Sequence, residues 1–564
     1  MIFILISWLY ILFITVGMGS LILNYTKIKN PVFLIVSGLF FQLILIHFWA
    51  IFFGVDLTFY CVNSLIAAIL IYFQRTKIKS ILIQSVDDFK NWNPFLKFLF
   101  FFIGIAALMQ SSVSPYLPDN ESYYIQTIKW LNSYGLVKGL ANLHLFFGQM
   151  SGWHMLQSSF NFGFLVNFLN DLNGFLLVVI SFFSFDRLNH FTKEKNLPDL
   201  FIGLIFTASV FLFRFLDAPS PDLPVFFIFP VMAWIFLNQF EKPDRDHMLL
   251  LFVFGLLLTL SKITSFPVLI LPIVLLVKSS AFRKTVPAAF LLCLTALIAF
   301  FSKNYIITGY LLNPTDLLGN LLNPDWKMPN HLQQLFYAYP QFHAYNSSPE
   351  EFENFKNWSQ LTKFIKWFFS PKLHGIFNKL ILILLIVFPF WIRKNKALFW
   401  IYITGLFQFL ILYFTSPQYR FFFHIILVLG LIIIATILIK ISFRNLKILL
   451  TLTVIPVLIP LVFNLNFKAL TNNHFMRTQT KTFRAPYLFK PKKNSQYIYH
   501  YEKITDGNLE YNSPVKTYMW LTGDGELPVA NKIMINYIKK REGLRPQLRT
   551  GNLKDGFKSK EIKK

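Results

Sequence analysis

Stretches of about twenty mainly apolar residues follow one another through most of this chain, and that pattern limits its fold more than any other feature. A helix needs about that length to cross a bilayer's hydrocarbon core while bonding every backbone N–H and C=O within itself. Such stretches lie near 2–24, 31–53, 56–73, 95–112, 172–186, 199–215, 222–240, 248–261, 263–278, 285–303, 378–392, 397–415, 420–439 and 447–464. This gives about fourteen expected membrane-spanning helices. Only Ser261-Lys262 separates two of the shortest, so 248–278 also reads as one broken unit. Composition agrees: 14% of the 564 residues are charged, against about 25% in a soluble domain. A chain this apolar cannot cover itself with polar surface in water. The fold class is an α-helical polytopic membrane protein, with 1–94 as N-terminal transmembrane helices and 95–464 as a transmembrane core.

The net charge is +26. In a soluble protein such an excess suggests nucleic acid. Here most Lys and Arg fall in short loops between apolar runs, where positive charge orients helices, and no nucleic acid partner is expected. Basic residues gather in alternate loops, among them Lys27 and Lys29, Arg75 and Lys77, and Arg393 and Lys394. Those loops are expected in the cytoplasm. Three larger segments, 113–171, 304–377 and the tail from about 465, then fall on the outer face, as does the N-terminus. The first apolar run has no basic n-region and reads as a retained span. Cys61 and Cys293 both lie in apolar runs, which argues against a disulfide framework or a zinc site.

The tail, 465–564, is rich in Tyr and Trp and reads as a small α+β extracytoplasmic domain. Alternation over Gln496 to Tyr501 and Val515 to Trp520 suggests strands, and Lys558 to Lys564 reads as a frayed end.

The first outer segment carries the densest chemistry. Pro118 and Asp119 read as a helix start, with Asp119 as N-cap. Tyr124, Ile128, Leu131 and Tyr134 follow at helical spacing, so an amphipathic helix is expected on the membrane surface. Asp119 and Glu121 stand two residues apart; such a pair can hold a divalent cation (Mg or Mn), or one member can act as general base. Ordinary capping explains the same residues. A second polar stretch, with Asn142, His144, Gln149, Trp153, His154 and Gln157, is expected to line a pocket or to sit at headgroup depth. Basic residues that break the charge rule are Arg214, Lys262, Lys303 and Arg420, each at a helix end on the outer side, with Asp217 and Asp222 nearby. An anionic headgroup at that depth needs such groups. Snorkelling or pairing with the two acids is the plainer account.

These features together resemble the GT-C superfamily of membrane glycosyltransferases, which take sugar from a polyprenyl-phosphate lipid. The stretches Lys303-Asn304-Tyr305-Ile306-Ile307-Thr308-Gly309-Tyr310, Pro417-Gln418-Tyr419-Arg420-Phe421 and Gly551 to Lys558 also look like a group of uncharacterised bacterial membrane proteins of that plan. The resemblance implies Asp119 and Glu121 as the loop acids and Asp222 as a second outer acid. It also implies Lys303 and Arg420 as donor-phosphate contacts. Lys262, His144 and His154 join them as substrate-side candidates. It implies transfer of sugar to a glycan, lipid or protein on the outer face of a bacterial inner membrane, with the lipid-linked donor and membrane lipids as partners. A polysaccharide polymerase or lipid-linked glycan exporter stays open as an alternative. A secondary transporter is disfavoured, because no matched halves with broken, charged helices are visible.

Overall fold

The computed structural model describes residues 1–115, 117–165, 169–345, 347, 349–392, 395–466 and 482–562. Among these, eleven helices are long and apolar enough to cross a membrane, from Ile2–Asn24 to Phe443–Val462. The chain is a polytopic helical protein with a multi-pass membrane character. The eleven helices coincide with eleven of the expected spans. The other three expectations, 199–215, 248–261 and 263–278, fall on shorter elements: Leu197–Phe213, Arg245–Ser261 and Ile263–Lys278. A 3₁₀ stretch, Ile205–Ala208, interrupts the first. The third opens as a 3₁₀ turn, Ile263–Leu269, that contains Pro267, whose ring and missing N–H disfavour regular α-helix. Residues 248–278 are therefore not one broken span. Lys262, with an extended backbone, separates two elements that pack on each other.

Close helix crossings use glycine. Gly19 sits against the Leu34 carbonyl and Gly38 against that of Thr15, with no room for a Cβ at either; small residues let neighbouring membrane helices approach in this way.

The three large segments that the charge pattern assigns to one face lie against one another. Lys129 pairs with Asp524 at 2.6 Å and Arg549 with Asp325 at 2.9 Å. The Gly139 N–H donates to the Ile306 carbonyl at 2.7 Å, and the Phe557 N–H to the Lys138 carbonyl at 2.9 Å.

The described part of the tail holds two antiparallel hairpins, Tyr501–Asp506 with Leu509–Pro514 and Leu544–Leu548 with Phe557–Glu561, and a helix, Lys532–Glu542. The strands are not those expected from alternation. Residues 496–500 and 515–520 are irregular. Part of their backbone bonding goes to the 113–171 segment: Gln496 N–H donates to the Glu121 carboxylate. Nor is the end frayed as expected, because Phe557–Glu561 is a paired strand and Ser559 Oγ donates to Asn142 Oδ1 at 2.7 Å. Residues 467–481 and 563–564 of the expected tail lie outside the described residues.

The helix Ile125–Tyr134 does not lie open on a membrane surface. Ile125 to Ile128, Trp130 and Leu131 are buried, and the tail covers its polar side. Gln126 Nε2 donates to the carbonyls of Gly523 and Gly525 at 3.0 and 2.9 Å. Gln126 and Lys129 meet these backbone acceptors and Asp524, and Asn132 donates to the Val55 and Ser158 carbonyls.

Candidate functional site

A cavity of about 340 Å³ lies where the helices Asp222–Gln239 and Phe282–Thr308 and the 3₁₀ turn Tyr419–Phe422 meet the 113–171 segment. Its charged lining residues are Asp119, Asp222, Lys262, Lys303 and Arg420. Five residues that are far apart in sequence converge here.

Local structure explains each position. Asp222 opens its helix, where the N-terminal dipole favours a carboxylate. Lys262 is the extended residue between two helical elements. Arg420 follows Pro417 in the 3₁₀ turn, before the helix Phe423–Ile437. Lys303 sits in the last two turns of Phe282–Thr308. Asp119 precedes a π-helical turn, Asn120–Tyr124, a rare geometry often found at functional sites. It is not the expected N-cap: its backbone is helical and its side chain makes no cap hydrogen bond.

Arg420 links the two acids. Its Nη2 lies 2.7 Å from Asp119 Oδ2 and its Nε 3.8 Å from Asp222 Oδ2. Lys262 Nζ donates to Asp222 Oδ1 at 2.5 Å and stands 3.5 Å from the centre of the Phe421 ring. Burial lowers the Lys262 ammonium below the usual lysine range, and Asp222 opposes that shift. Lys303 is 7% exposed, and its Nζ donates to the Met150 carbonyl at 2.6 Å. Among the described residues it has no carboxylate within 4.0 Å.

Other expected residues fall elsewhere. Glu121 does not line the cavity. Its carboxylate accepts from Ser495 Oγ and the Gln496 N–H, each at 2.9 Å, and so binds the tail. Burial pushes this carboxyl up to about 7, while those two donors pull the other way. The Asp119–Glu121 pair is thus split between two environments and does not fit a metal shared by the two. Among the described residues, no group of three or more His, Cys, Asp or Glu stands together as metal ligands. His144 and His154 are also outside the cavity lining. His144 Nδ1 accepts from the Phe146 N–H, and His154 completes a capping box with Ser151. Burial lowers both imidazoles to about 3, so they are neutral structural caps and not anion ligands. Of the second polar stretch only Gln149 reaches the cavity. Asn142 binds the Trp326 carbonyl, Trp153 binds Asn173, and Gln157 binds the Leu169 carbonyl. Arg214 donates to Tyr419 Oη at 2.9 Å, and Asp217 accepts from Gln110 at 3.0 Å.

Residues 1–427 match a domain of unknown function, DUF8201. The chain belongs to the DUF8201 family. No curated protein and no solved structure matches it. All five charged lining residues fall inside the part shared with DUF8201. Two aromatic lining residues, Tyr518 and Trp520, come from the tail beyond it.

Sequence reasoning missed those two, together with Phe146 and His343. The Tyr and Trp content of the tail was visible, but alternation assigned it to strands. His343 sits in the helix Asn330–His343 with no local motif, and burial lowers its imidazole to about 4 although Asp119 acts in the opposite sense.

Proposed function

We propose that this protein is a membrane glycosyltransferase that moves a sugar from a polyprenyl-phosphate donor to a glycan, lipid or protein acceptor at the outer face of a bacterial inner membrane. The observation that carries this reading is the charge of the cavity. Three cations and two carboxylates line it, an excess of one positive charge among the Asp, Lys and Arg side chains. The Lys262–Asp222 pair is neutral whichever partner holds the proton. An uncompensated buried charge costs several kcal/mol, so the cavity suits a monoanion. A sugar joined to lipid through one phosphate is a phosphodiester with one negative charge.

The balance holds through the reaction. The acceptor hydroxyl gives its proton to Asp119. Its oxygen bonds to the anomeric carbon, and the bond from that carbon to the phosphate oxygen breaks, leaving the electron pair on phosphate. Phosphate gains one negative charge as Asp119 loses one. Lys303 has no acid partner among the described residues and holds the phosphate by a charge-assisted hydrogen bond. Arg420, already between the two acids, supports the leaving phosphate and positions Asp119. Preorganised charges of this kind supply much of an enzyme's rate.

The test uses the full-length protein. Undecaprenyl phosphate binding is measured in detergent, and sugar transfer from undecaprenyl-phosphate sugars in liposomes. Lys303→Gln should weaken lipid-phosphate binding by about tenfold or more at unchanged folded yield. Unaltered affinity would remove Lys303 from the site, and failure of the wild type to bind any such lipid would sink the transferase reading.

A further inference from the structure

Tyr518 and Trp520 reach the cavity from the tail, and the stretch that carries them is pinned on both sides. Asn531 Nδ2 donates to Thr517 Oγ1 and to the carbonyls of Tyr518 and Leu521 at 3.0, 3.0 and 2.9 Å. The N–H groups of Thr522 and Gly523 donate to the Glu121 carbonyl at 3.0 and 2.8 Å. Trp520 stacks on Phe146, with ring centroids 4.7 Å apart and an interplanar angle of 29°, and its ring meets Tyr339 edge-on at 4.5 Å. Tyr518 Oη lies 3.2 Å from Ser122 Oγ. A wall fixed in this way loses little entropy when a ligand settles on it.

We infer that the C-terminal tail is part of the substrate site, with Trp520 and Tyr518 forming the wall against which the donor's sugar ring rests. This deepens the transferase reading and depends on it. A pyranose ring has an apolar face of C–H groups, and the negative face of an indole attracts their partial positive charge. The hydroxyls around that ring need polar partners, and a phenol beside the indole supplies one. The charged lining residues meet the phosphate, so the aromatic wall is left for the sugar. The division follows the chain: the phosphate- and proton-handling groups all lie within residues 1–427, and the sugar wall lies in the segment after them. Sugar choice is thereby assigned to the tail, and the chemistry common to any sugar to the DUF8201 part.

The experiment compares the full-length protein with Trp520→Ala and Trp520→Phe, and with Ile498→Ala as an exposed control. Probes are undecaprenyl phosphate, bare or carrying glucose, galactose or mannose. For the tightest sugar-bearing lipid, Trp520→Ala should lose roughly five- to tenfold in affinity. Bare undecaprenyl phosphate should bind as in the wild type, and Trp520→Phe, which keeps a ring face, should recover most of the loss. Equal affinity of wild type and Trp520→Ala for the sugar-bearing lipid overturns the inference and leaves the phosphate reading standing. If the wild type binds none of these lipids, the transferase reading fails first. Should Trp520→Ala not fold, hydrogen exchange of the wild type decides. Protection of residues 517–522 by the sugar-bearing lipid but not by bare lipid phosphate supports the wall, and equal protection by both, or by neither, overturns it.

Discussion

Asp119→Asn separates chemistry from architecture at this site. The change keeps side-chain size and a hydrogen-bonding oxygen toward Arg420, and removes one negative charge and the proton acceptor. Its structural cost is bounded by the geometry. The Asp119–Arg420 pair is partly exposed, at 25% and 16% of the two side chains, and Arg420 keeps Asp222 at 3.8 Å. An exposed pair contributes up to about 1 kcal/mol, and breaking a fully buried one costs about 3–5. The loss here falls near the lower figure, about 1–2 kcal/mol. The catalytic cost is larger: a positioned base contributes about 10²- to 10⁴-fold in rate, or about 3–5 kcal/mol of barrier. Transfer from an undecaprenyl-phosphate sugar would be followed in liposomes, with folded yield and thermal midpoint measured on the same preparation. The expected variant is folded, with a midpoint lowered by a few degrees, and slowed at least a hundredfold. A folded variant that keeps most of the wild-type rate would show that Asp119 is only the counter-ion of Arg420, and the proposed base would be wrong.

The remaining predictions concern the contact between the tail and the 113–171 segment. Glu121 sits near pH 7 in the fold, above its ordinary value of 4.5, so the folded state holds its proton longer than the unfolded one. Docking stability should be full below about pH 4.5 and decline as pH rises to about 7, by about 3 kcal/mol. Protease sensitivity of residues 495–523 at pH 5 and pH 8 would show it; an unchanged pH slope in Glu121→Gln would rule out Glu121 as the source. Gly556 has φ +93, and a Cβ there would overlap the Lys138 carbonyl. Gly556→Ala should therefore loosen the tail's final strand by more than 1 kcal/mol, seen as faster hydrogen exchange at Phe557, and unchanged exchange would contradict this.

The membrane class was legible because twenty apolar residues in a row have few other uses, and eleven expected spans sit where long helices form. The three shorter elements were placed within a few residues, but their 3₁₀ segments, Ile205–Ala208 and Ile263–Leu269, were not foreseen, because an apolar run reads the same whichever helix type it adopts. The charge rule marked Lys262, Lys303 and Arg420 as exceptions, and all three line the cavity. The same rule marked Arg214, which does not line the cavity itself but bonds Tyr419, which does; local sequence does not show which cation a tertiary fold turns inward. His144 and His154 carried the right chemistry for a ligand but were used as caps, a choice that depends on neighbours two and three residues away and on complete burial.

The spacing of Asp119 and Glu121 already contained the geometry that a shared metal contradicts. Residues two apart on a helix are turned about 200° from each other and do not share a face. An acid pair at that spacing, placed in a helical stretch, must look two ways. Here Asp119 looks into the cavity and Glu121 toward Ser495 and Gln496. The backbone between them is the π-helical turn whose Glu121 carbonyl also receives Thr522 and Gly523. One short segment therefore presents the proposed base and anchors the wall that carries Tyr518 and Trp520. A change that undocks the tail removes the sugar wall and frees the turn that aims Asp119, so such variants should lose affinity and rate together. Trp520→Ala, which leaves the anchor intact, should lose affinity for the sugar-bearing lipid while the rate at saturating donor falls less.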